Sequence, residues 1–334
     1  MNQDDEHITQ KVQDMYSKYP YPSPSADLTQ TNELLNLLRI FELESSIKLK
    51  GKNILDAGCG SGHRITNAAE FFKNCDFLGI DITEESLKIA NDLKKIKKLQ
   101  NIRFLNYNIM ESVQKLGKFD IVLCMGVLHH LSDPRMGLQK LVTTLTDDGI
   151  IFLYLYGKLG GHKRMLNKEL VSILLGNEKQ NYELGIKLVR DLELNKFEYG
   201  WNLNFKNGKE EDSLIVDSLL HANEVLYDSI DIENLLRQSG LYGYSIFGIT
   251  VGTKGLLYDS GVRAKGKLSV PQTNIAQMLK SELPLSRYES LSMHERYRIL
   301  DLFYEPNGYT ILGFTKNAYE KLSNDRLKRN FIKT

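Results

Sequence analysis

Ile54-Leu55-Asp56-Ala57-Gly58-Cys59-Gly60-Ser61-Gly62 decides the fold. An apolar run passes straight into three glycines on alternate positions, and an amphipathic stretch from Arg64 to Lys73 follows. That is the pattern of a strand, a tight turn and a helix. Glycine suits such a turn because a Cβ would restrict its dihedrals and block close approach of a ligand. The helix start beyond it offers unpaired N–H groups and the positive end of a dipole, suited to a carboxylate or phosphate. Spacing narrows the choice of ligand. A dinucleotide turn runs G-x-G-x-x-G, its third glycine packing helix on strand beside a pyrophosphate. Here the third glycine comes one residue early, at Gly62, and His63 stands in the dinucleotide position. Asp56 would be unhelpful beside a pyrophosphate but suits a ligand with an α-ammonium group.

Outward from this turn the chain alternates regularly. Short apolar runs at Asn53–Ala57, Phe77–Ile82, Ile102–Leu105, Asp120–Met125 and Ile150–Tyr156 are separated by amphipathic stretches at Arg64–Lys73, Glu84–Lys98 and Pro134–Leu145. Such alternation predicts βαβ units and a doubly wound, mostly parallel sheet. Ahead of it, residues 1–48 form an arm. Helices are expected over His7–Lys18 and Gln30–Lys48, separated by Tyr19-Pro20-Tyr21-Pro22-Ser23-Pro24, whose alternate prolines force extended backbone. The core domain is expected over 49–156 and an inserted, mostly helical cap over 157–228. Residues 229–334 complete the core with a helix at Ile230–Gln238, strands at Tyr244–Val251 and Tyr309–Phe314, a helix at Met293–Phe303, and a second insertion at 254–292.

The stretch at 54–62 resembles the first motif of class I S-adenosylmethionine-dependent methyltransferases, hhD-x-G-x-G-x-G. Three further landmarks follow in order. Asp81, ending the second apolar run about 20 residues on, corresponds to the carboxylate that accepts both ribose hydroxyls. Ile82 would then lie against the adenine face. In Leu105-Asn106-Tyr107-Asn108-Ile109 the family commonly has Asp where this chain has Asn108, whose amide oxygen retains the power to accept a hydrogen bond from the adenine amino group. Phe119 to Leu131 resembles the fourth strand and its following loop, with Met125 beside the methionine moiety. The resemblance covers residues 50–156, extends more weakly to about 251, and returns near 309–316. It implies a seven-stranded Rossmann-like sheet, S-adenosylmethionine as methyl donor and S-adenosylhomocysteine as product. Cofactor contacts then fall to Asp56, Gly58, Gly60, Gly62, Asp81, Ile82, Asn108, Ile109 and Met125. The Tyr-Pro-Tyr-Pro arm is similar to that of a poorly characterised bacterial group within the family.

The acceptor side is less legible. His129, His130 and His221 are candidate bases, needed only if the acceptor is protonated. Tyr19 and Tyr21 are candidates to cover the cofactor mouth, where an aromatic face attracts a sulfonium. Tyr154 and Tyr156 leave the fifth strand at the ligand-binding edge of the sheet. Asp217 and His221 are four residues apart and share a face if helical, with Tyr227 nearby. Each also has an ordinary structural role open to it, in packing, capping or a solvated helix face. Cys59, Cys75 and Cys124 lack CxxC spacing, which argues against zinc and disulfides and for a reducing compartment, the cytoplasm. The lysines at 94, 95, 97 and 98 mark a solvated helix face, and the basic tail Arg326-Leu327-Lys328-Arg329 a frayed terminus.

The composition is that of a globular protein: 334 residues, 42% hydrophobic, 25% charged, net charge +1. That near-neutrality, and the absence of an Asn-Pro-Pro-Tyr motif after the fourth strand, argue against a nucleic-acid substrate. No apolar run reaches the roughly 18 residues of a membrane span, and the polar N-terminus does not resemble a signal peptide. A small-molecule acceptor is the first expectation and a protein side chain the second. From another class, the chain could be a catalytically silent cofactor-binding subunit.

Overall fold

The computed structural model describes residues 3–21, 32–195, 208–252, 254–259, 271–323 and 325–334. Pro22, Ser23 and Pro24 of the arm lie outside them. Five strands and three helices alternate as the sequence predicts: β1 (Asn53–Ala57), α3 (His63–Phe71), β2 (Asp76–Asp81), α4 (Glu84–Ile96), β3 (Ile102–Asn106), β4 (Phe119–Met125), α5 (Pro134–Val142) and β5 (Leu145–Tyr156). Ahead of them lie α1 (Gln3–Lys18) and α2 (Glu33–Ser45). Residues 157–228 contribute α6 (His162–Leu175), α7 (Tyr182–Asp191) and α8 (Gly208–Leu219). The chain continues through α9 (Ser229–Leu236), β6 (Gly243–Val251), β7 (Lys254–Tyr258), β8 (Gln272–Thr273), α10 (Ile275–Met278), α11 (Glu282–Ser290), α12 (Met293–Tyr304), β9 (Gly308–Phe314), α13 (Lys316–Glu320), α14 (Asp325–Arg329) and β10 (Phe331–Lys333).

All ten strands among the described residues join one sheet in the order β3-β2-β1-β4-β5-β9-β6-β7-β8, with β10 also pairing β6. The expected count of seven is therefore corrected to ten. The excess has an identifiable source: β7 and β8 come from the 254–292 segment and β10 from the C-terminus, and all three build outward from β6. β1 to β5 pair in parallel, whereas β9 runs antiparallel between β5 and β6.

Strands covered on both faces need apolar residues at consecutive positions. Along β4, Val122 and Cys124 enter one core while Ile121 and Leu123 enter the other. The first core is closed by α5, α9 and α12 through residues such as Leu138, Leu235 and Tyr297. The second is closed by α2 and α3, where Phe41 meets Phe152 edge to face at 5.0 Å. A third, smaller core joins α6, α7 and α8 to Met15 of α1. The N-terminal arm and the 157–228 segment thus pack on each other. The sheet reverses strand order between β1 and β4, where doubly wound folds leave a crevice at the carboxyl ends of the strands.

Candidate active site

A cavity of about 520 Å³ opens in that crevice. Its floor follows from the strand ends. After β1 come Gly58, Cys59 and Gly60; at the end of β2, Asp81 and Ile82; after β3, Tyr107, Asn108 and Ile109; after β4, Met125, Gly126 and Val127. Gly58 has φ +85°, and a Cβ there would run into the side chain of Val127. Its backbone is thus held in a region that L side chains rarely adopt, directly under the cavity. Gly62 has a different job. It does not line the cavity, and a Cβ on it would lie 2.6 Å from Ala90, so it lets α3 pack on α4.

Two carboxylates face this floor in different ways. Asp81 accepts from the Gly60 N–H at 2.8 Å and the Thr83 N–H at 3.0 Å, tying the glycine turn to the β2 end. Burial raises its pKa, and those N–H groups offset part of the rise. Asp56 is 5% exposed and, among the described residues, has no hydrogen-bond or ion-pair partner. Burial pushes its pKa up to about 7, with Arg64 acting to lower it. A buried carboxylate without a partner is costly, and here it faces a cavity open to a cationic ligand. Asn108 Oδ1 accepts from the Met110 N–H at 2.8 Å, so the amide oxygen already caps its own loop.

The other end of the cavity is built from remote parts of the chain. Tyr16 of α1, Tyr21 of the arm, Tyr154 and Tyr156 of β5, and Asp217 of α8 line it together with His130. Tyr16 donates to Asp217 Oδ1 at 2.7 Å, and its hydroxyl lies 3.1 Å from His221 Nε2. The Asn223 N–H donates to His221 Nδ1 at 3.1 Å, which puts the proton of the neutral ring on Nε2, directed at Tyr16. The result is an ordered chain from His221 through Tyr16 to Asp217. α8 ends at Leu219, so the expected single helical face does not join Asp217 to His221; Tyr16 does. His130 Nδ1 lies 2.9 Å from the Asn223 carbonyl and must donate to it, leaving the Nε2 lone pair buried and without a partner. Burial lowers the His130 pKa to about 4 and raises that of Asp217 to about 6.

Three further expectations are corrected here. His129 is fully buried outside the cavity, its ring 4.0 Å from that of Tyr156, with neither nitrogen bonded. Tyr19 packs edge to face on Tyr182 at 5.8 Å. Tyr227 pairs through its backbone with Tyr156 and Gly157 and buries its ring in the first core. Tyr156 is held from behind by the Arg164 guanidinium, 5.3 Å from the ring centre and paired with buried Glu224 at 2.8 Å. Sequence reasoning missed Tyr16 and Arg64. Arg64 is the second residue of α3, immediately after the glycine turn, and that adjacency was the available signal. For Tyr16, in a polar helix, there was none.

His130, Asp217 and His221 bring ligating atoms within 4.8 Å of one another. They do not make a metal cage. The two imidazoles stack at 3.7 Å with planes 17° apart, so in-plane lone pairs run side by side instead of converging. The His221 tautomer also points a proton, not a lone pair, toward the group.

Residues 48–201 match the family model described as a methyltransferase domain. An uncharacterized protein of Synechococcus sp. is 25% identical over 310 residues, covering 88% of this chain and 69% of that one. The ubiquinone biosynthesis O-methyltransferase of Coxiella burnetii is 29% identical over 119 residues, covering 36% of this chain and 50% of its own. Among solved structures, PKMT2 from Rickettsia typhi in complex with AdoHcy superposes with a TM-score of 0.56 at 19% identity. That superposition covers 84% of this chain and 52% of PKMT2. The chain therefore spans about half the length of both the Coxiella and the Rickettsia typhi proteins. No helix among the described residues is long and apolar enough to cross a membrane. Residues 48–201 therefore carry a methyltransferase domain.

Proposed function

We propose that this chain transfers a methyl group from S-adenosylmethionine to a small-molecule acceptor at the tyrosine-lined end of the cavity. The cofactor supplies an electrophilic methyl carbon on a sulfonium. Asp56 pairs with its α-ammonium, Gly58 and Gly60 admit it close to the backbone, and Met125 lies along the methionine moiety. Asp81 accepts from the ribose hydroxyls, and Ile82, Asn108 and Ile109 surround the adenine. Asp56 carries the proposal: a buried carboxylate without a partner among the described residues, beside a glycine turn, calls for a cation at that point.

The protein's chemical work is alignment and exclusion of water, which together contribute several kcal/mol to such displacements. His130 and Asp217 face the acceptor, while His221 and Tyr16 hold Asp217 in place. His129 supports Tyr156 from below. A small acceptor is favoured because α1 is fastened over this end by the Tyr16–Asp217 bond and by Gln13 Nε2 donating to the Ile82 carbonyl at 3.0 Å. Near-zero net charge speaks against nucleic acid, and three free, buried cysteines fit the cytoplasm.

The test is incubation with methyl-labelled cofactor and a cell extract, after calorimetry has established cofactor binding. Label in the low-mass filtrate is expected. Label on protein would replace the small molecule with a side chain. Binding without incorporation would identify a silent cofactor-binding module.

A further inference from the structure

We infer that the methyl acceptor is an amine, seated between His130 and Asp217 with its nitrogen against the tyrosine wall; this rests on the methyltransferase assignment and names the acceptor class. Two independent features support it, one of hydrogen-bond polarity and one of charge.

At Tyr16, His130 and Asp217 the acceptor wall presents lone pairs. The Tyr16 proton is used on Asp217, and its oxygen receives His221 Nε2–H. The Tyr154 hydroxyl donates to Thr250 Oγ1 at 3.1 Å. His130 is 5% exposed, and its Nε2 has no partner because Nδ1 is held by the Asn223 carbonyl. Asp217, also 5% exposed, adds a carboxylate. That corner of the wall, between His130 and Asp217, matches a ligand that brings N–H donors and leaves a carboxylate or ether unsatisfied there. The spacing also fits. Two acceptors bonded to one tetrahedral nitrogen, each at about 2.9 Å, stand about 4.7 Å apart. The ligating atoms of His130 and Asp217 fall within 4.8 Å of each other.

The charge balance points the same way. Among the described residues, Glu33, Asp56, Asp81 and Asp217 line the cavity against a single permanently charged cation, Arg64. The cofactor carries a sulfonium, an ammonium and a carboxylate, so it neutralises only one of that excess. Tyr16, Tyr21, Tyr154 and Tyr156 supply aromatic surface around what is left, which favours a second cation.

The step balances without a further reagent. The bound ammonium passes one proton to Asp217. The freed nitrogen lone pair forms the N–C bond as the C–S bond breaks, and that electron pair stays on sulfur as the neutral thioether. The methylammonium product leaves with its remaining protons, and Asp217 gives the proton it took to solvent, which restores the carboxylate.

The wild-type chain, saturated with S-adenosylhomocysteine, is titrated calorimetrically with butylamine, butanol and butyrate. Butylamine is expected to bind about tenfold or more tighter than either isostere. Asp217→Asn should erase that preference while leaving S-adenosylhomocysteine affinity within about twofold. Butanol or butyrate binding as well as butylamine, no binding by any of the three, or a preference that survives in Asp217→Asn overturns the inference. Failure of the chain to bind S-adenosylhomocysteine at all would fall on the methyltransferase assignment instead, before any amine is added.

Discussion

The two ends of the cavity are built on opposite plans. The cofactor end is local: Asp56, Gly58 and Gly60 come from one turn, and Asp81 reaches that turn through the Gly60 N–H. The acceptor end is assembled from afar, with Tyr16 bonded to a carboxylate 201 residues away and His130 anchored 93 residues away on Asn223. The contrast follows from what each end must do. Every strand in a parallel sheet delivers its carboxyl end to the same edge, so short segments suffice to hold a constant ligand. A variable ligand is enclosed by whatever segments fold over that edge, and here those are α1, the arm and α8.

If that division is right, substitutions at the two ends should separate binding from turnover. Asp81→Ala should have the largest effect. It removes the proposed ribose contact and the acceptor that ties down the Gly60 and Thr83 N–H groups. Cofactor affinity should fall about 100-fold, from roughly 3 kcal/mol of lost charge-assisted bonding, with circular dichroism unchanged. Calorimetry showing affinity within about threefold of wild type would break the assignment of this end. Gly58→Ala should come next, weakening cofactor binding by roughly tenfold or more through positive φ and the collision with Val127.

Tyr16→Phe tests the other end. Asp217 loses its hydrogen bond and His221 Nε2 its acceptor, so kcat should drop by about tenfold while cofactor affinity stays constant. Equal losses in both would mean that α1 serves the cofactor as much as the acceptor. Turnover should also rise with pH through about 6 as Asp217 ionises. Tyr16, Glu224, Arg164 and Arg64 are the groups that set its charge environment. A profile flat across that range would remove Asp217 from proton transfer.

A further effect should be on stability, and its sign is opposite to that on function. Burial raises Asp56 from 3.8 to about 7, so the folded chain binds a proton that the unfolded chain has already lost in that interval. Stability of the cofactor-free chain should therefore fall as pH climbs from about 4 to 7 and stay low above it. Asp56→Asn should raise the melting temperature of the free chain above neutrality while weakening the cofactor. A lower melting temperature there would show that Asp56 has a structural partner.

The alternating strands and helices from Asn53 to Tyr156 were legible because apolar period and glycine punctuation are local properties of the chain. So was the composition of the glycine turn, although Gly62 turned out to serve helix packing. The strands β7, β8 and β10 were not legible: β7 and β10 form by pairing with β6, and the two-residue β8 by pairing in turn with β7. The acceptor wall was read in part. Tyr154, Tyr156, Asp217 and His130 were named, but the partners that give them chemistry were not. Asp217 and His221 looked like neighbours on one helix, yet the helix stops between them and a tyrosine from α1 joins them.

By itself, then, the sequence determined the turn after Lys52 and the donor it suits, because a backbone at φ +85° needs glycine wherever the rest of the chain goes. Only the tertiary structure decided which protons and lone pairs meet the acceptor. The tautomers of His130 and His221 are set by the carbonyl and N–H of one residue, Asn223, brought to both rings by folding. A hydrogen bond across 93 residues of chain leaves no trace in local pattern, and that is where the acceptor chemistry lies.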